Sequence, residues 1–232
     1  MVKILAHRGA TTYCPENTMS AFEKAVELGA DGLEIDVQMT SDGKLVVIHD
    51  ETLERTTNGS GMVMEHSLSK LRTLDAGNWF HHKFNGEKIP TFEEVLQFSI
   101  KNQLYLNIEL KNSIVHYKDI EQEVIKLVQQ YHYESQVILS SFNHLSLKLC
   151  KQVDSNIAIG VLYSKPMMEP WQYAANLQAT AVHPYKKFVS EKLIKECKRL
   201  NIDVHPWTIS TKEELDQHKV MNVTKVISDY LG

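Results

Sequence analysis

Two acidic residues, Glu34 and Asp36, alternate with Leu33, Ile35 and Val37 in a segment whose pattern predicts a β-strand. Successive strand side chains point to opposite faces, so both carboxylates lie on one face of this strand. Neighbouring carboxylates repel each other on a partly buried face unless a cation lies between them or the face is open to water. The pair therefore indicates either a solvated acidic face or one part of a cation site.

Histidines stand at the ends of two predicted strands. The first strand, residues 3–6, runs into His7 and Arg8, and an apolar run after the turn at residues 41–43 ends at His49 and Asp50. Histidine exchanges protons near neutral pH, so His7 and His49 are candidates for a general acid and a general base.

The elements that must position these groups form a regular alternation of helices and strands after residue 90. Predicted strands cover residues 104–110, 136–141, 157–163, 179–183, 203–207 and 225–228. Predicted helices cover residues 91–101, 119–131, 144–152, 169–177, 190–200 and 211–220, after a first helix over residues 19–28. With the two N-terminal strands this gives about eight β/α units, which predicts an α/β fold, a (β/α)₈ TIM barrel. A doubly wound open sheet is the alternative, but it usually has fewer strands and a glycine-rich phosphate loop after the first.

The chain is expected to form one domain, residues 1–232, because this length suits a single large α/β core. A turn-rich segment at approximately residues 51–90, which contains TTNGSG at 56–61, interrupts the alternation and ends at an Ile-Pro pair. We interpret it as a small insertion after the second strand of the barrel.

Active sites of such barrels form at the C-terminal ends of the strands. Glu109 and Lys111, in the strand NIELK, share a face by the same period of two. The carboxylates of Glu34, Asp36 and Glu109 would converge there into a site of hard oxygen ligands that suits Mg²⁺ or Ca²⁺. Arg8 and Lys111 beside this cation would bind an anion, with phosphate as the obvious candidate.

Other residues near strand or helix ends have no single interpretation. Glu16 and Asn17 either stabilise the start of the first helix or take part in the site. Polar or aromatic residues at other strand ends are Ser141, Phe142, Tyr163, His183, Tyr185, His205, Trp207 and Asp229. For Ser141 and Tyr163 a substrate contact and a structural role are equally open, and Asp229 could be a hydrogen-bonding partner only.

Composition narrows the class of protein and its compartment. The net charge is −4 and the charges are interspersed, so no basic stripe for nucleic acid is present. The apolar start of the chain is too short for a signal peptide or a membrane span. Three cysteines form an odd set without metal-type spacing, which is typical of a reducing compartment. We therefore expect a cytoplasmic protein without stable membrane insertion.

The motifs together resemble one family, the glycerophosphodiester phosphodiesterases. The resemblance rests on HRG at 7–9, PENT at 15–18, GLEIDVQMTSDGKLVVIHDETLERTTNGSG at 32–61, GEKIPTFEEVL at 86–96, NIELK at 107–111, PWTI at 206–209 and ISDY at 227–230. It covers essentially the whole chain. The closing ISDY departs mildly from the usual ending of the family, and Cys14 is outside its pattern.

This resemblance implies a metal-dependent hydrolase on a (β/α)₈ barrel. The family's metal-binding carboxylates fall on Glu34, Asp36 and Glu109 of this chain, and its general acid and general base fall on His7 and His49. The family's phosphate-binding cations fall on Arg8 and Lys111. Trp207, at the end of a predicted strand, is interpreted separately as a wall for the glycerol carbons, with a place in the core as the alternative.

The expected reaction converts a glycerophosphodiester, such as glycerophosphocholine or glycerophosphoethanolamine, into an alcohol and sn-glycerol 3-phosphate. A phospholipase-type enzyme acting on lysolipid or lipid is an alternative, but it should have an exposed apolar rim, which the sequence does not reveal. A catalytically inactive phosphodiester-binding barrel is another. The choice of metal, the preferred headgroup, the acid and base roles, direct water attack or a cyclic phosphate, and a homo-oligomeric state stay open.

Overall fold

The computed structural model describes residues 2–232, which contain nine strands and eight α-helices. The strands are β1 Lys3–His7, β2 Gly32–Met39, β3 Leu45–Val47, β4 Tyr105–Leu110, β5 Val137–Ser141, β6 Ile159–Tyr163, β7 Ala181–Pro184, β8 Asp203–Val204 and β9 Lys225–Ser228. The helices are α1 Met19–Glu27, α2 Leu68–Leu71, α3 Phe92–Lys101, α4 Ile120–Gln130, α5 His144–Val153, α6 Pro170–Asn176, α7 Glu191–Arg199 and α8 Lys212–Val220.

Eight of the strands are parallel and form the predicted barrel, in the order β8-β7-β6-β5-β4-β2-β1-β9. The ring closes between β9 and the residues that follow β8. There the backbone N–H of Ile227 donates to the carbonyl of Pro206 and that of Ile209 to the carbonyl of Ile227, both at 3.0 Å. A closed barrel leaves no edge strand among these eight, so all their C-terminal ends meet on one face.

The remaining strand, β3, pairs antiparallel with β2, with Val37 opposite Val47. It therefore lies outside the parallel ring and carries the chain to His49 beside the end of β2. The predicted bounds of helices and strands agree with the structure within two residues, except at residues 203–207, where the assigned strand is Asp203–Val204.

The main core lies between the barrel and the surrounding helices, because apolar residues of the strands alternate outward. Ile35 and Ile108 belong to this core, whereas the residues beside them, Asp36 and Glu109, point to the barrel axis. Residues 51–90 contribute to a second apolar cluster, in which Leu53, Val63 and other side chains pack against β3. Residues 51–90, interpreted above as an insertion, thus pack through an apolar cluster that they share with Val46 and Ile48. Among residues 2–232, no helix combines the length and apolar character needed to cross a membrane.

Candidate active site

Three buried carboxylates meet at the C-terminal end of β2 and β4. Asp36 lies opposite Glu109 in the parallel pairing of the two strands, and Glu34 is two residues earlier on the same face of β2. One oxygen from each of the three lies within 4.8 Å of the others, and all three residues are buried. The Oδ1 atom of Asp36 and the Oδ1 atom of neighbouring Asn17 have no hydrogen-bond partner among the described residues. This set of hard oxygen donors fits a divalent cation such as Mg²⁺ or Ca²⁺.

The electrostatics of this acidic cluster, Glu34, Asp36 and Glu109, are unequal. Burial raises the pKa of Glu34 well above its ordinary value, and the charges of Asp36 and Glu109 add to the rise. Burial would also raise the pKa of Asp36, but the positive charges of Arg8 and Lys111 lower it to about 2. The raised pKa of Glu34 and the positive charges of Arg8 and Lys111 thus both reduce the negative charge that the cluster carries.

Arg8 and Lys111 line the acidic cluster as basic neighbours. Arg8 Nε lies 3.2 Å from Asp36 Oδ2, and Lys111 Nζ lies 2.8 Å from Glu109 Oε1. Arg8 adopts a left-handed backbone with φ of 56°, and the next residue, Gly9, has φ of 89°. A Cβ atom at Gly9 would lie 2.6 Å from the Cβ of Ala21, so this tight turn after β1 requires glycine.

The two histidines have the same arrangement with different carboxylates. His7 Nδ1 lies 2.8 Å from Asp229 Oδ1, and His49 Nδ1 lies 2.6 Å from Asp50 Oδ1. Since an ionised carboxylate only accepts hydrogen bonds, each Nδ1 carries the proton and each Nε2 is left to face other groups. His7 Nε2 lies 4.0 Å from Glu34 Oε2, so this imidazole borders the acidic cluster.

Glu16 and Asn17, for which two roles were open, both belong to the site. Asn17 Nδ2 donates to Asp36 Oδ2 at 2.9 Å, and the helix cap is Thr18, whose hydroxyl accepts from the N–H of Ala21. Glu16 accepts hydrogen bonds from Arg8 and from Arg55 of the insertion.

Trp207 lies three residues after β8, where it forms a parallel bridge with Tyr185 near the mouth of the barrel. Its indole N–H donates to the carbonyl of His183 at 2.9 Å, which fixes the ring. Edge-to-face contacts with Phe142 and Tyr185, at centroid distances of 5.6 and 5.7 Å, make a small aromatic group at this position.

Ser141 and Tyr163, for which a substrate contact was open, face away from the barrel interior. The Ser141 hydroxyl donates to the carbonyl of Leu110 and to Asn112, and Tyr163 packs in the main core. His183 and His205 are buried in the barrel, with 3.0 Å between His205 Nδ1 and His183 Nε2. Burial lowers the pKa of both rings, and for His183 the charge of His205 lowers it further.

Comparisons with known proteins show which family the chain resembles. The model of the glycerophosphoryl diester phosphodiesterase family matches residues 7–232. The chain belongs to this family. It is 44% identical to a glycerophosphodiester phosphodiesterase of Caldanaerobacter subterraneus subsp. tengcongensis, over 97% of this chain and 93% of the relative.

Solved structures of the family have the same fold. The glycerophosphodiester phosphodiesterase of Agrobacterium tumefaciens superposes with a TM-score of 0.89 at 28% identity, over 100% of this chain and 97% of the other. A phosphodiesterase of Oleispira antarctica, solved in complex with the product sn-glycerol 3-phosphate, gives a TM-score of 0.91 at 28% identity, over 98% and 93% of the chains. The protein is therefore a phosphoric diester hydrolase of the glycerophosphodiester phosphodiesterase class, and the alternative of an inactive barrel is set aside.

In this member of the glycerophosphoryl diester phosphodiesterase family, seven of the eight predicted site residues lie together: the three carboxylates of the acidic cluster, two histidines and two basic residues. Those seven are His7, Arg8, Glu34, Asp36, His49, Glu109 and Lys111, and the eighth, Trp207, lies at the barrel mouth. Sequence reasoning did not single out Arg55. Arg55 lies six residues after His49, within the motif at residues 32–61, but the local sequence does not show what its side chain contacts.

Proposed function

We propose that this enzyme hydrolyses glycerophosphodiesters, such as glycerophosphocholine or glycerophosphoethanolamine, to an alcohol and sn-glycerol 3-phosphate, with a divalent cation and two-histidine catalysis. The observation that carries the proposal is the convergence of two carboxylate-oriented imidazoles, His7 and His49, on the barrel face that also holds the acidic cluster. The product bound to the Oleispira relative supports the glycerol phosphate half of the substrate.

Glu34, Asp36 and Glu109 would hold the cation. A bound divalent cation would neutralise a non-bridging phosphate oxygen and counter the charge that builds in the transition state. Arg8 and Lys111 would bind the remaining phosphate oxygens, because both present cationic nitrogens at the edge of the cluster.

Proton transfer falls to the two imidazoles. One Nε2 accepts the proton of the nucleophile as its oxygen bonds to phosphorus, and the other protonates the alcohol oxygen as its bond to phosphorus breaks. Either water or the glycerol 2-hydroxyl can serve as the nucleophile. Attack by the 2-hydroxyl would form a cyclic phosphate, which water then hydrolyses. A substrate analogue without the 2-hydroxyl separates the two routes, since only direct water attack would turn it over.

The test is an end-point assay of glycerophosphocholine hydrolysis, with and without chelator, coupled to glycerol 3-phosphate dehydrogenase. His7→Ala and His49→Ala should each lose about 10²–10⁴-fold in rate, the usual scale of general acid–base catalysis. The double variant should lose much less than the product of the two, because both groups act in one step. Full activity of metal-stripped protein, or near-normal turnover by His49→Ala, would contradict the proposal.

A second candidate substrate class, lysophospholipids, is favoured by one observation. Ile114, Phe142, Leu145 and Met168 are exposed, by 73%, 36%, 75% and 92%. They lie on the segments that follow β4, β5 and β6, whose C-terminal ends share the barrel face of the site. Turnover of lysophosphatidylcholine, lowered by Ile114→Ser or Met168→Ser while glycerophosphocholine turnover is kept, would establish this activity. Turnover of glycerophosphocholine alone would exclude it.

We also propose that the protein is located in the cytoplasm. The support for this location is that Cys14, Cys150 and Cys197 are all buried, free thiols, as a reducing compartment allows. Fractionation of cells against cytoplasmic and secreted markers tests it, and size-exclusion chromatography with light scattering tests the homo-oligomeric state.

A further inference from the structure

Arg55, a residue of the insertion, donates four hydrogen bonds to two carboxylates. Its Nη1 and Nη2 atoms donate to the two oxygens of Glu16, both at 2.8 Å. Its Nε and Nη2 atoms donate to the two oxygens of Asp50, at 2.5 and 2.9 Å. A guanidinium is a rigid planar fork, so two bidentate contacts fix the orientation of both carboxylates relative to each other.

The first of these carboxylates orients a histidine. Asp50 Oδ1 accepts from Arg55 and also lies 2.6 Å from His49 Nδ1. Hydrogen bonds from Arg55, partly opposed by burial, hold the pKa of Asp50 well below its usual range, so Asp50 is an ionised acceptor at neutral pH. The imidazole of His49 is thereby held in one rotation and one tautomer, with Nε2 free for proton transfer.

The second carboxylate reaches the phosphate-binding arginine. Glu16 Oε1 accepts from Arg55 and also from Arg8 Nη1, at 3.1 Å. Arg8 in turn forms the ion pair with Asp36 of the acidic cluster. Arg55 is thus joined through one carboxylate each to Arg8, the residue directly after β1, and to His49, which follows β3.

We infer that Arg55 is a positioning residue, which aligns His49 through Asp50 and Arg8 through Glu16. The inference rests on the proposed function for the roles of those two residues. Residues 51–90 therefore supply part of the catalytic alignment, in addition to packing against β3. Arg55 itself acts through its carboxylate partners.

The chain contains a matched control, Arg72. This arginine also lies in the insertion and forms the same bidentate contact with Glu94, at 2.8 and 2.9 Å. The two arginine side chains are similarly exposed, by 42% for Arg55 and 38% for Arg72. The contacts of Arg72 with Glu94 and the carbonyl of Ile89 do not include the residues of the proposed site.

The kinetic test compares Arg55→Met with Arg72→Met in hydrolysis of glycerophosphocholine. Arg55→Met should lower kcat by about 10–100-fold, the scale for partners that orient functional groups, with KM changed less than about threefold. Arg72→Met should keep kcat within about twofold, because it loses only a surface ion pair with Glu94 and a hydrogen bond to the carbonyl of Ile89. Asp50→Asn should lower kcat like Arg55→Met, and the double variant should add little to either single loss. Arg55→Lys should recover only part of the rate, since an ammonium cannot replace the fork.

A second readout does not depend on turnover. The ¹⁵N shifts of the His49 ring, assigned with His49→Ala and recorded where the imidazole is neutral, report its tautomer. Wild type and Arg72→Met should show protonated Nδ1, and Arg55→Met should shift towards a mixture of tautomers. Unchanged His49 shifts in Arg55→Met, or equal kcat for Arg55→Met and Arg72→Met, would overturn the inference. If wild type does not hydrolyse glycerophosphocholine, the proposed function fails, and the ring shifts still decide the positioning role.

Discussion

Removal of one charge from the acidic cluster should stabilise the protein when no divalent cation is bound. Glu34 is buried beside Asp36 and Glu109, and burial and those two charges raise its pKa. Glu34→Gln keeps the shape of the side chain and an oxygen acceptor for the backbone N–H of Arg8, which lies 3.2 Å away. The substitution therefore removes repulsion without opening a cavity.

The magnitude follows from the spacing of the oxygens, at most 4.8 Å within the cluster. Two unit charges at that distance repel by about 3.5 kcal/mol at an effective dielectric constant of about 20. Glu34 faces two such neighbours, while Arg8 and Lys111 offset part of the repulsion. We expect Glu34→Gln to raise the free energy of unfolding by about 1–3 kcal/mol in chelator at neutral pH.

The sign of the pH dependence follows from linkage. The unfolded chain releases the Glu34 proton near the ordinary pKa of 4.5, whereas the folded protein holds it to higher pH. The wild type should therefore lose stability relative to Glu34→Gln as pH rises from 4.5 through the folded pKa. Below pH 4.5 the difference should vanish, because the carboxyl is then protonated in both states.

The assay is urea unfolding followed by circular dichroism, in chelator and in saturating Mg²⁺ or Ca²⁺. At about 100 times its dissociation constant, a bound cation adds about 2.7 kcal/mol to wild-type stability. Glu34→Gln has lost a ligand and should gain much less, so its advantage over the wild type should shrink by up to about 2.7 kcal/mol on addition of cation.

The control is Glu121→Gln. Glu121 is also buried, but its Oε1 accepts hydrogen bonds from Asn112 and Ser146, so its charge is satisfied. This control should lose stability in both conditions. A loss of stability by Glu34→Gln in chelator as large as that of Glu121→Gln would refute the electrostatic argument.

Three further expectations concern the buried histidine pair, the partner of His7 and the choice of substrate. Burial lowers the pKa of His183 and His205, so the free energy of unfolding should fall as pH drops below 6.5. The fall should reach up to about 1.4 kcal/mol per pH unit for each ring, and urea unfolding should show a shallower fall for His183→Gln. Asp229→Ala should lower kcat about 10–100-fold, because His7 loses the acceptor that orients it, and steady-state kinetics with unchanged cation affinity would verify this. The values of kcat/KM for glycerophosphocholine, glycerophosphoethanolamine and glycerophosphoglycerol should agree within about ten- to thirtyfold. The wild type should prefer these substrates to an aryl phosphodiester that lacks glycerol, and Trp207→Ala should narrow that preference. A thousandfold headgroup preference would instead place specificity on the leaving alcohol.

The sequence by itself determined the barrel, because the information lies in local periodicity. A strand such as Tyr105–Leu110 alternates apolar and polar residues, and a helix such as Ile120–Gln130 repeats its apolar residues every three to four positions. The same rule placed Glu34 and Asp36 on one face of β2. Strand order and closure then followed from the limited ways in which parallel β/α units can connect.

Residues 51–90 were beyond such reasoning. Their apolar side chains have no regular spacing, yet Leu53 and Val63 pack with Val46 and Ile48 into one cluster. The partners come from separate stretches of the chain, so only the folded arrangement brings them together.

The tertiary structure also decided which polar groups meet. Alternation states that Ser140 and Ser141 face opposite sides of β5, but barrel closure decides that Ser141 faces the helices. Arg55 is separated from Glu16 by 39 residues, and no local pattern predicts their contact. The two-residue period of a strand determines on which face of that strand a side chain lies. The contacts of that side chain depend on how distant strands and loops pack against the strand.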